Sequence, residues 1–489
     1  MKKTYAFLLA VLCLLPYAVS CADESSDAVV TQTQEAVTET GTAELTNEDM
    51  LTAYLDTLPE KDYGGYEFII LTRSEESWAW FTRDVFSAGE NGDPINDAVY
   101  KRNMLLEDKF NIVVKDNPIS QLPAIDARRF IMADDDCFAF VTDGLTHLAK
   151  LAIAGLAIDY HTVDAIHLDN VWWDQRMNTD MSIMNELYTI TGDISIMDNE
   201  GTWHMLFNKQ IHADYDLQDY YEMRDNGTWT LDVLIEDAKK VVSDLNGDGV
   251  MSAFDGDRFG FATEVYNTFQ LWAGTGMKTV TKNEHDIPVY TMYNERSQAI
   301  VERILDIQLD KNVTFNHNDI NNFADAQTAL FQLVGMRVLP TYRQCDTEFG
   351  ILPLPKFDVA DEYTSIGSFD NLTAYLMPVT TGDVERSGIL LEAMAGISYY
   401  TLSPAYYDLS LEGKYIRDEE SRRSIDIILS RRSYDLGAIF GFGKPAPVDL
   451  FMTMTERGKR DFASRCESQR KSMDAAIEDF IQSIEESDT

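Results

Sequence analysis

Apolar positions recur along the chain in two periods, short continuous runs and i, i+3, i+4 stripes, and from Tyr63 onward the two alternate. Tyr66 to Leu71 (YEFIIL) reads as a compact apolar strand. Asp93-Pro94 opens a helix, Asp93 suiting the cap and Pro94 the first turn. Ile95, Ala98, Val99, Leu105 and Leu106 keep helical spacing as far as Phe110. Asn111 to Lys115 (NIVVK) is the next strand, which completes a βαβ unit. Cys137 to Thr142 (CFAFVT) is a further buried strand, and Asp143-Gly144 sets polar groups at its C-terminal end, where open α/β sheets bind ligands.

Beyond an irregular Trp-rich stretch the alternation resumes. Trp203 to Phe207 (WHMLF) reads as a strand, and Thr230 caps a helix with Leu231, Leu234, Ile235, Ala238 and Val241 on one face. A helix from Glu295 to Leu309 and strands at Phe349 to Leu354 and Leu372 to Met377 follow. Helical stripes then fill the chain from Val384 onward, broken by Gly and Pro between Gly441 and Pro447. There is no internal repeat. The roughly 400 residues that carry this pattern exceed what one hydrophobic core supports, so two lobes are expected.

The N-terminus has a different character. Met1-Lys2-Lys3, an apolar run from Ala6 to Tyr17 and the small residues Ala18-Val19-Ser20 have the order of a secretory signal over residues 1–20, and the run is too short to span a bilayer. Cys21 directly after Ala-Val-Ser resembles a lipobox, whose cleaved Cys carries lipid; the other reading is an ordinary signal with Cys21 a free thiol. From Ala22 to about Asn47 no Lys or Arg occurs, and the Thr, Glu, Ala, Ser and Val present are too polar for a core. Residues 21–61 are therefore expected to be a lipidated Cys and a disordered acidic tether. A flexible chain of about 35 residues spans on the order of 30 Å.

Charge narrows the partners. The sequence has 40 Lys and Arg against 82 Asp and Glu, a formal net charge of −42, and such a field repels polyanions. Nucleic acid is excluded as a natural partner, and a neutral or cationic solute fits best. Cys137, Cys345 and Cys466 are far apart, odd in number and free of any CxxC, which gives neither a disulfide framework nor a zinc site, though one pair remains open.

One loop has ligand spacing. Asp244, Asn246, Asp248, Val250, Ser252 and Asp255 stand at positions 1, 3, 5, 7, 9 and 12 with Gly249 at 6, as a calcium loop requires. Asp255 is shorter than the usual bidentate Glu, and Asp257 is its alternative. The loop reads either as a structural calcium site or as a solvated Asp/Asn/Gly turn.

Catalytic templates are absent: there is no GxSxG, HExxH, P-loop or GxGxxG, and the seven His have no metal spacing. Aromatic side chains are more informative, because sugar rings present apolar faces that stack on them. Trp78 and Trp80 follow the first strand and divide between pocket and core. Trp272, followed by Gly274 and Gly276, is a turn candidate whose stacking is expected to contribute about 1 to 3 kcal/mol to sugar binding. Trp172 and Trp173 are read as packing.

Several segments together resemble the family 1 extracellular solute-binding proteins of ABC importers, the broad group that contains maltose-binding protein. They are Gly64-Gly-Tyr-Glu-Phe68, the helix Asp93 to Asn103, Val171-Trp-Trp-Asp-Gln175, Leu206-Phe-Asn-Lys209, Gly227-Thr-Trp-Thr230, the loop 244 to 255 and Phe349-Gly-Ile-Leu-Pro-Leu-Pro-Lys356. One departure is Phe323-Ala-Asp-Ala-Gln-Thr-Ala-Leu330, which lacks the Gly-Lys of the family's FxxGKxAM signature. The resemblance implies an α/β, two-lobe, periplasmic-binding-protein-like (type II) fold with hinge crossings near Gly192 to Met197 and near Pro353. The first lobe would then comprise 62–193 plus 353–400, and the second 194–352 plus 401–489. It places Trp78, Trp80, Asp143, Trp272, Tyr342 and Arg343 at the cleft, Arg343 as a polar ligand contact.

The implied function is a lipoprotein anchored outside the cytoplasm that captures a sugar or oligosaccharide and delivers it to an ABC permease, without catalysis. The alternatives are an oligopeptide or other nitrogenous-solute receptor with an acidic cleft, a surface glycoside hydrolase with two carboxylates at a defined separation, and a static lectin-like adhesin.

Overall fold

Two β-sheets organise the chain, which this computed structural model describes over residues 46–74, 83–316, 328–342, 345, 347–408 and 418–487. The first elements are α1 (Asn47–Thr57), β1 (Tyr66–Arg73), α2 (Pro94–Phe110), β2 (Ile112–Ser120), α3 (Pro123–Met132), β3 (Phe140–Gly144), α4 (Leu145–Ile153) and α5 (Gln175–Met181). A one-turn helix, α6 (Met197–Glu200), leads into β4 (Trp203–Asn208), α7 (Leu231–Val241), β5 (Phe259–Thr263), α8 (Asn267–Gly274) and α9 (Glu295–Gln308). Next come β6 (Thr314–Asn316), β7 (Ala329–Gly335), β8 (Phe349–Leu352), β9 (Ser365–Ile366) and β10 (Thr373–Leu376). The C-terminal third holds α10 (Val384–Tyr400), α11 (Leu402–Tyr407), α12 (Glu419–Ser430), β11 (Arg432–Ser433), α13 (Pro447–Glu456) and α14 (Phe462–Ser487).

The first sheet has the order β10-β3-β1-β2, with β1 parallel to both β2 and β3 and β10 antiparallel to β3. The βαβ unit read from periodicity is present, with Tyr66 opposite Ile112 and Ile70 opposite Phe140. Its helix starts where the residues say: the Asp93 carboxylate accepts from the Ile95 and Asn96 amides at 3.0 Å each, and Pro94 follows. It stops at Asn111, whose φ of 50° is a left-handed cap. Ile95, Val99, Leu106 and Phe110 are buried.

The second sheet has the order β8-β4-β7-β5-β6, with β5 parallel to β6 and β7, and β4 antiparallel to both β7 and β8. The α7 stripe Leu231, Leu234, Ile235, Ala238 and Val241 is buried against it. Helix and strand approach so closely that a Cβ at Gly260 would overlap the backbone of Ala238. Gly260→Ala is therefore expected to cost about 1 to 3 kcal/mol through overpacking, read as a lower denaturant midpoint; an unchanged midpoint would show that α7 moves freely off β5.

Several expectations change at element edges. The third strand runs over Phe140–Gly144 rather than 137–142, so Asp143 belongs to the strand and not to the loop after it. Thr230 holds the N-cap position but its side chain makes no cap hydrogen bond; the Leu231 amide instead donates to the Lys356 carbonyl at 2.7 Å. Part of the expected tether, 47–57, is helix α1. It begins with a Thr46/Asp49 capping box and packs Leu51 and Tyr54 toward α10, while Asn47 Nδ2 donates to the Tyr400 carbonyl at 2.6 Å.

Lobe limits shift for similar reasons. Residues 353–364 stay with the second sheet's helices, because Lys356 bridges Thr230 and Arg296 pairs with both Asp358 and Asp361. The return crossing is therefore 365–372 rather than Pro353. Helix α11, expected with the second lobe, packs Leu402 and Tyr406 with Ile95, Ala98 and Val99 of α2. Trp173 is buried, as packing predicts, and both Trp172 and Trp173 donate their indole N–H to Glu392 of α10. Cys345 and Cys466 are buried, and Cys137 is half-buried.

Candidate functional site

Strand directions decide which sheet edges face each other. In the first sheet β1 and β3 end, and the antiparallel β10 begins, on one edge, at Arg73, Gly144 and Thr373. In the second, β5 and β7 end, and β4 begins, on one edge, at Thr263, Gly335 and Trp203. Both edges abut the return crossing. The Thr146 amide, just past β3, donates to the Phe369 carbonyl at 3.4 Å, and Ser368 N donates to the Gly201 carbonyl at 2.7 Å. Thr202 bridges Gly367, and the rings of Phe369 and Phe269 meet edge-on at 5.6 Å. The polar strand ends of two sheets are thus gathered around 366–373, the arrangement in which α/β folds hold ligands.

On the first edge Arg73 closes the apolar strand β1 and grips Asp143, through Nε at 2.9 Å and Nη2 at 2.7 Å. Asp143 also accepts from the Ala124 amide at 3.2 Å and the Gly144 amide at 2.8 Å, and its Oδ1 lies 3.1 Å from His147 Nδ1. Burial pushes this carboxyl up, but the His147 hydrogen bond and the Arg73 charge outweigh it and leave it below its ordinary value. The neighbouring Asp370 accepts from the Thr146 hydroxyl, and its carbonyl lies 3.4 Å from Arg73 Nη2.

The crossing and the second edge continue the pattern. Glu200 on α6 pairs with Arg83; burial raises its carboxyl to about 7, against the pull of Arg83. Arg337, two residues past β7, is lowered by burial and opposed by the charges of Glu264 and Glu200. Glu264 directly follows β5 and is buried. Beside this run of alternating charges stands an aromatic corner: Trp203 and Tyr266 meet at 6.1 Å and 71°. Trp203 is 6% exposed, and neither its Nε1 nor Gln270 Oε1 has a hydrogen-bond partner among the described residues.

The site residues read from sequence fare unevenly. Asp143 lies on the edge, but its oxygens are engaged by Arg73, His147 and backbone amides. Trp272 is not in a turn: it lies in α8, fully buried, with Nε1 donating to Ser297 Oγ at 2.9 Å and its ring against Phe269 and Phe451. It is a core residue, and no face is left for a solute. Tyr342 is likewise buried in a cluster with Phe349 and Ile351. Trp78, Trp80, Arg343 and Cys21 lie outside the described residues. Sequence reading missed Arg73, Arg83, Glu200, Trp203, Tyr266, Glu264 and Arg337. A usable signal was present for three of them, a charged residue at or just past the end of an apolar strand.

In the 244–255 loop the side chains turn to the loop's own backbone. Asp244 accepts from Gly247 N at 2.6 Å and Gly249 N at 2.8 Å, Asn246 from Asp248 N at 2.8 Å, and Asp248 from Val250 N at 2.7 Å. Asp257 accepts from Leu245 N and Ser252 N at 2.9 Å each. Gly249 has φ 83°, as the tight turn requires. Among the described residues, no group of three or more His, Cys, Asp or Glu side chains is placed to hold a metal ion.

No protein-family model matches the chain, and no curated protein matches it. Solved structures do. A cyclo/maltodextrin-binding protein complexed with maltotetraose is 12% identical with a TM-score of 0.53, over 86% of this chain and 97% of that one. UgpB from Mycobacterium tuberculosis in complex with glycerophosphocholine is 15% identical with a TM-score of 0.55, over 87% of this chain and 100% of that one. The apo form of RafE from Streptococcus pneumoniae is 13% identical with a TM-score of 0.52, over 86% and 98%. The fold is accordingly the two-lobe, periplasmic-binding-protein-like α/β fold.

Proposed function

We propose, from the fold shared with these binding proteins, that the chain is an extracellular solute-binding lipoprotein of family 1 that captures a sugar or oligosaccharide between its sheets and delivers it to an ABC transporter permease. The observation that carries the reading is the pairing of charge along the two facing edges, with Arg73 on Asp143, Arg83 on Glu200, and Arg337 beside Glu264. Such pairs line the edges with polar groups while asking for no net charge in the solute, and the Trp203–Tyr266 corner supplies an apolar face. An amine-bearing peptide would call for unpaired carboxylates instead. Two of the similar structures are complexes with maltotetraose and with glycerophosphocholine, both rich in polar oxygens.

Anchoring through Cys21 rests on the lipobox-like order of residues 1–21. Among the described residues no helix is long and apolar enough to cross a membrane, so lipid is the attachment proposed.

The test is a thermal-shift screen of the mature chain against oligosaccharides, amino acids and peptides. A ligand at about 100 times its Kd stabilises the folded state by about 2.7 kcal/mol, and a selective rise with maltotetraose or a related sugar, without shorter products, is the expected result. A rise with peptides alone, or release of shorter sugars, overturns the proposal.

Calcium at the 244–255 loop is a separate proposal, supported by ligand order and by the turn at Gly249. Calcium is expected to raise the melting temperature, chelator to reverse the rise, and Asp244→Ala to remove both effects. Identical melting with calcium and with chelator makes the loop a metal-free turn.

A further inference from the structure

Outside the facing edges, a dense polar cluster surrounds one side chain of the C-terminal third. Arg432 lies on β11, which pairs in parallel with β9 of the return crossing. Its side chain is 7% exposed and reaches the first lobe and the outgoing crossing together. Nη2 donates to Asp174 Oδ2 at 2.7 Å and to Asp198 Oδ2 at 2.9 Å, and Nε donates to the same Asp174 oxygen at 3.1 Å. Nη1 reaches Asn199 Oδ1 at 3.1 Å and Thr202 Oγ1 at 3.4 Å. Asp174 caps α5 in the first lobe by accepting from the amides of Arg176 and Met177, and Tyr434 adds a hydroxyl to it at 2.6 Å. Asp198, Asn199 and Thr202 belong to the crossing that leads into β4. The Arg432 guanidinium therefore fastens the lobe to the outgoing crossing, and its strand pairs with the return crossing.

We infer that Arg432 is the positioning residue of the hinge: it sets the angle between the two sheets, and through that angle the affinity of the cleft, without touching the solute. The affinity clause rests on the solute-binding reading; the hinge clause does not. A guanidinium suits the task because its planar fork can hold several acceptors in fixed directions, which a lysine ammonium cannot.

Charge makes the fastening adjustable. Two carboxylates share the one guanidinium, and Asp193 of the same crossing, which accepts from Ser403 Oγ, lies close enough to act on Asp198. The other titratable groups facing this cluster are Tyr434 beside β11 and Tyr406 and Tyr407 of α11, all held in their neutral forms by burial. Burial raises the Asp198 carboxyl to about 7, with Arg432 opposing the shift. Burial also raises the neighbouring Asp193 carboxyl, to about 6, so as pH rises through this range Asp193 and then Asp198 add negative charge to a cluster whose one guanidinium already balances Asp174. With the folded-state value above the unfolded one, the contribution of Asp198 to stability is fully present below the unfolded pKa and is lost as pH rises through the folded one.

The test compares the wild-type mature chain with Arg432→Lys and Asp198→Asn. It measures amide hydrogen exchange of segment 192–203, corrected for intrinsic rate, with small-angle scattering, at pH 5.5 and pH 8.5, and then maltotetraose affinity. Wild-type exchange in the crossing is expected to rise about tenfold toward pH 8.5 while the sheets stay protected. Asp198→Asn should reduce this rise, leaving only the part that comes from Asp193. Arg432→Lys should loosen the crossing at both, change the radius of gyration, and weaken maltotetraose while leaving the binding stoichiometry unchanged. If Arg432→Lys does not fold, Asp198→Asn still decides. Exchange in the crossing that Arg432→Lys leaves unchanged, or that changes equally across the whole protein in the variants, overturns the inference, and exchange that is flat with pH in the wild type overturns the role given to Asp198 in it. Failure of maltotetraose to bind wild type, with the exchange pattern as expected, strikes the solute reading and leaves the hinge role standing.

Discussion

Glu392→Leu is expected to destabilise the protein by about 3 to 5 kcal/mol, the range for breaking a buried charge network and leaving its partners unsatisfied. Glu392 lies on α10, is 7% exposed, and accepts four N–H groups from one loop of the first lobe. They are Asn170 Nδ2 at 2.6 Å, Trp173 Nε1 at 2.8 Å, Trp172 Nε1 at 3.2 Å and the His167 amide at 3.2 Å. Burial raises its carboxyl, and the hydrogen bonds from Asn170 and Trp173 oppose the rise. Leucine approximates the volume but leaves four donors facing apolar atoms. Glu392→Gln keeps one acceptor oxygen and turns an NH2 toward a donor, so its loss should be smaller. Equilibrium denaturation followed by tryptophan fluorescence reads both variants, since two of the donors are indoles. A loss below about 1 kcal/mol for Glu392→Leu would mean the loop re-forms its hydrogen bonds with water.

Tyr266→Ala is expected to weaken sugar binding by about 1 to 3 kcal/mol, roughly 5- to 150-fold, with little change in the melting temperature of the unliganded protein. Tyr266 is only partly buried, stands one residue before α8, and meets Trp203 edge-on, so its loss removes a stacking face and little core. Trp203→Phe separates the two contributions of the corner: the apolar area is nearly kept while the unpartnered indole N–H is lost. Trp272→Ala is the contrasting control. Its ring packs on Phe269 and Phe451, so the expected cost is about 3 to 5 kcal/mol of folding stability and not of affinity. Calorimetric titration with maltotetraose, paired with thermal melts, distinguishes the three. Full affinity in Tyr266→Ala would take the corner out of the site.

The difference between Trp272 and Tyr266 shows where sequence reading reached its limit. Trp272 was attractive because it preceded Gly274 and Gly276, a turn-like context. In the structure Gly274 ends α8 against Leu354, where any Cβ would collide, so the glycine marks tight helix packing and not a loop. Glycine is compatible with both, and only the neighbours decide. Asp143 shows the intermediate case. Its position at the end of a buried strand was legible, but Arg73, seventy residues earlier, had to be brought beside it before its oxygens could be seen to be engaged. Helix α1 was missed because its eleven residues have one fully buried position, Leu51, and a sparse stripe of that kind is indistinguishable from a polar linker until α10 covers it.

Local patterns by themselves determined the strand and helix order, the βαβ entry, the Asp93-Pro94 helix start and the buried stripe of α7. Each depends on periods of two or 3.6 residues and on caps, interactions that span only a few positions. Tertiary structure alone decided which strand ends face each other, where the chain crosses back, which tryptophans are core and which form a corner, and that Arg432 fastens three segments. Those outcomes depend on contacts between residues far apart in the chain, 260 positions between Asp174 and Tyr434 and 297 between Arg73 and Asp370, and no local period records them.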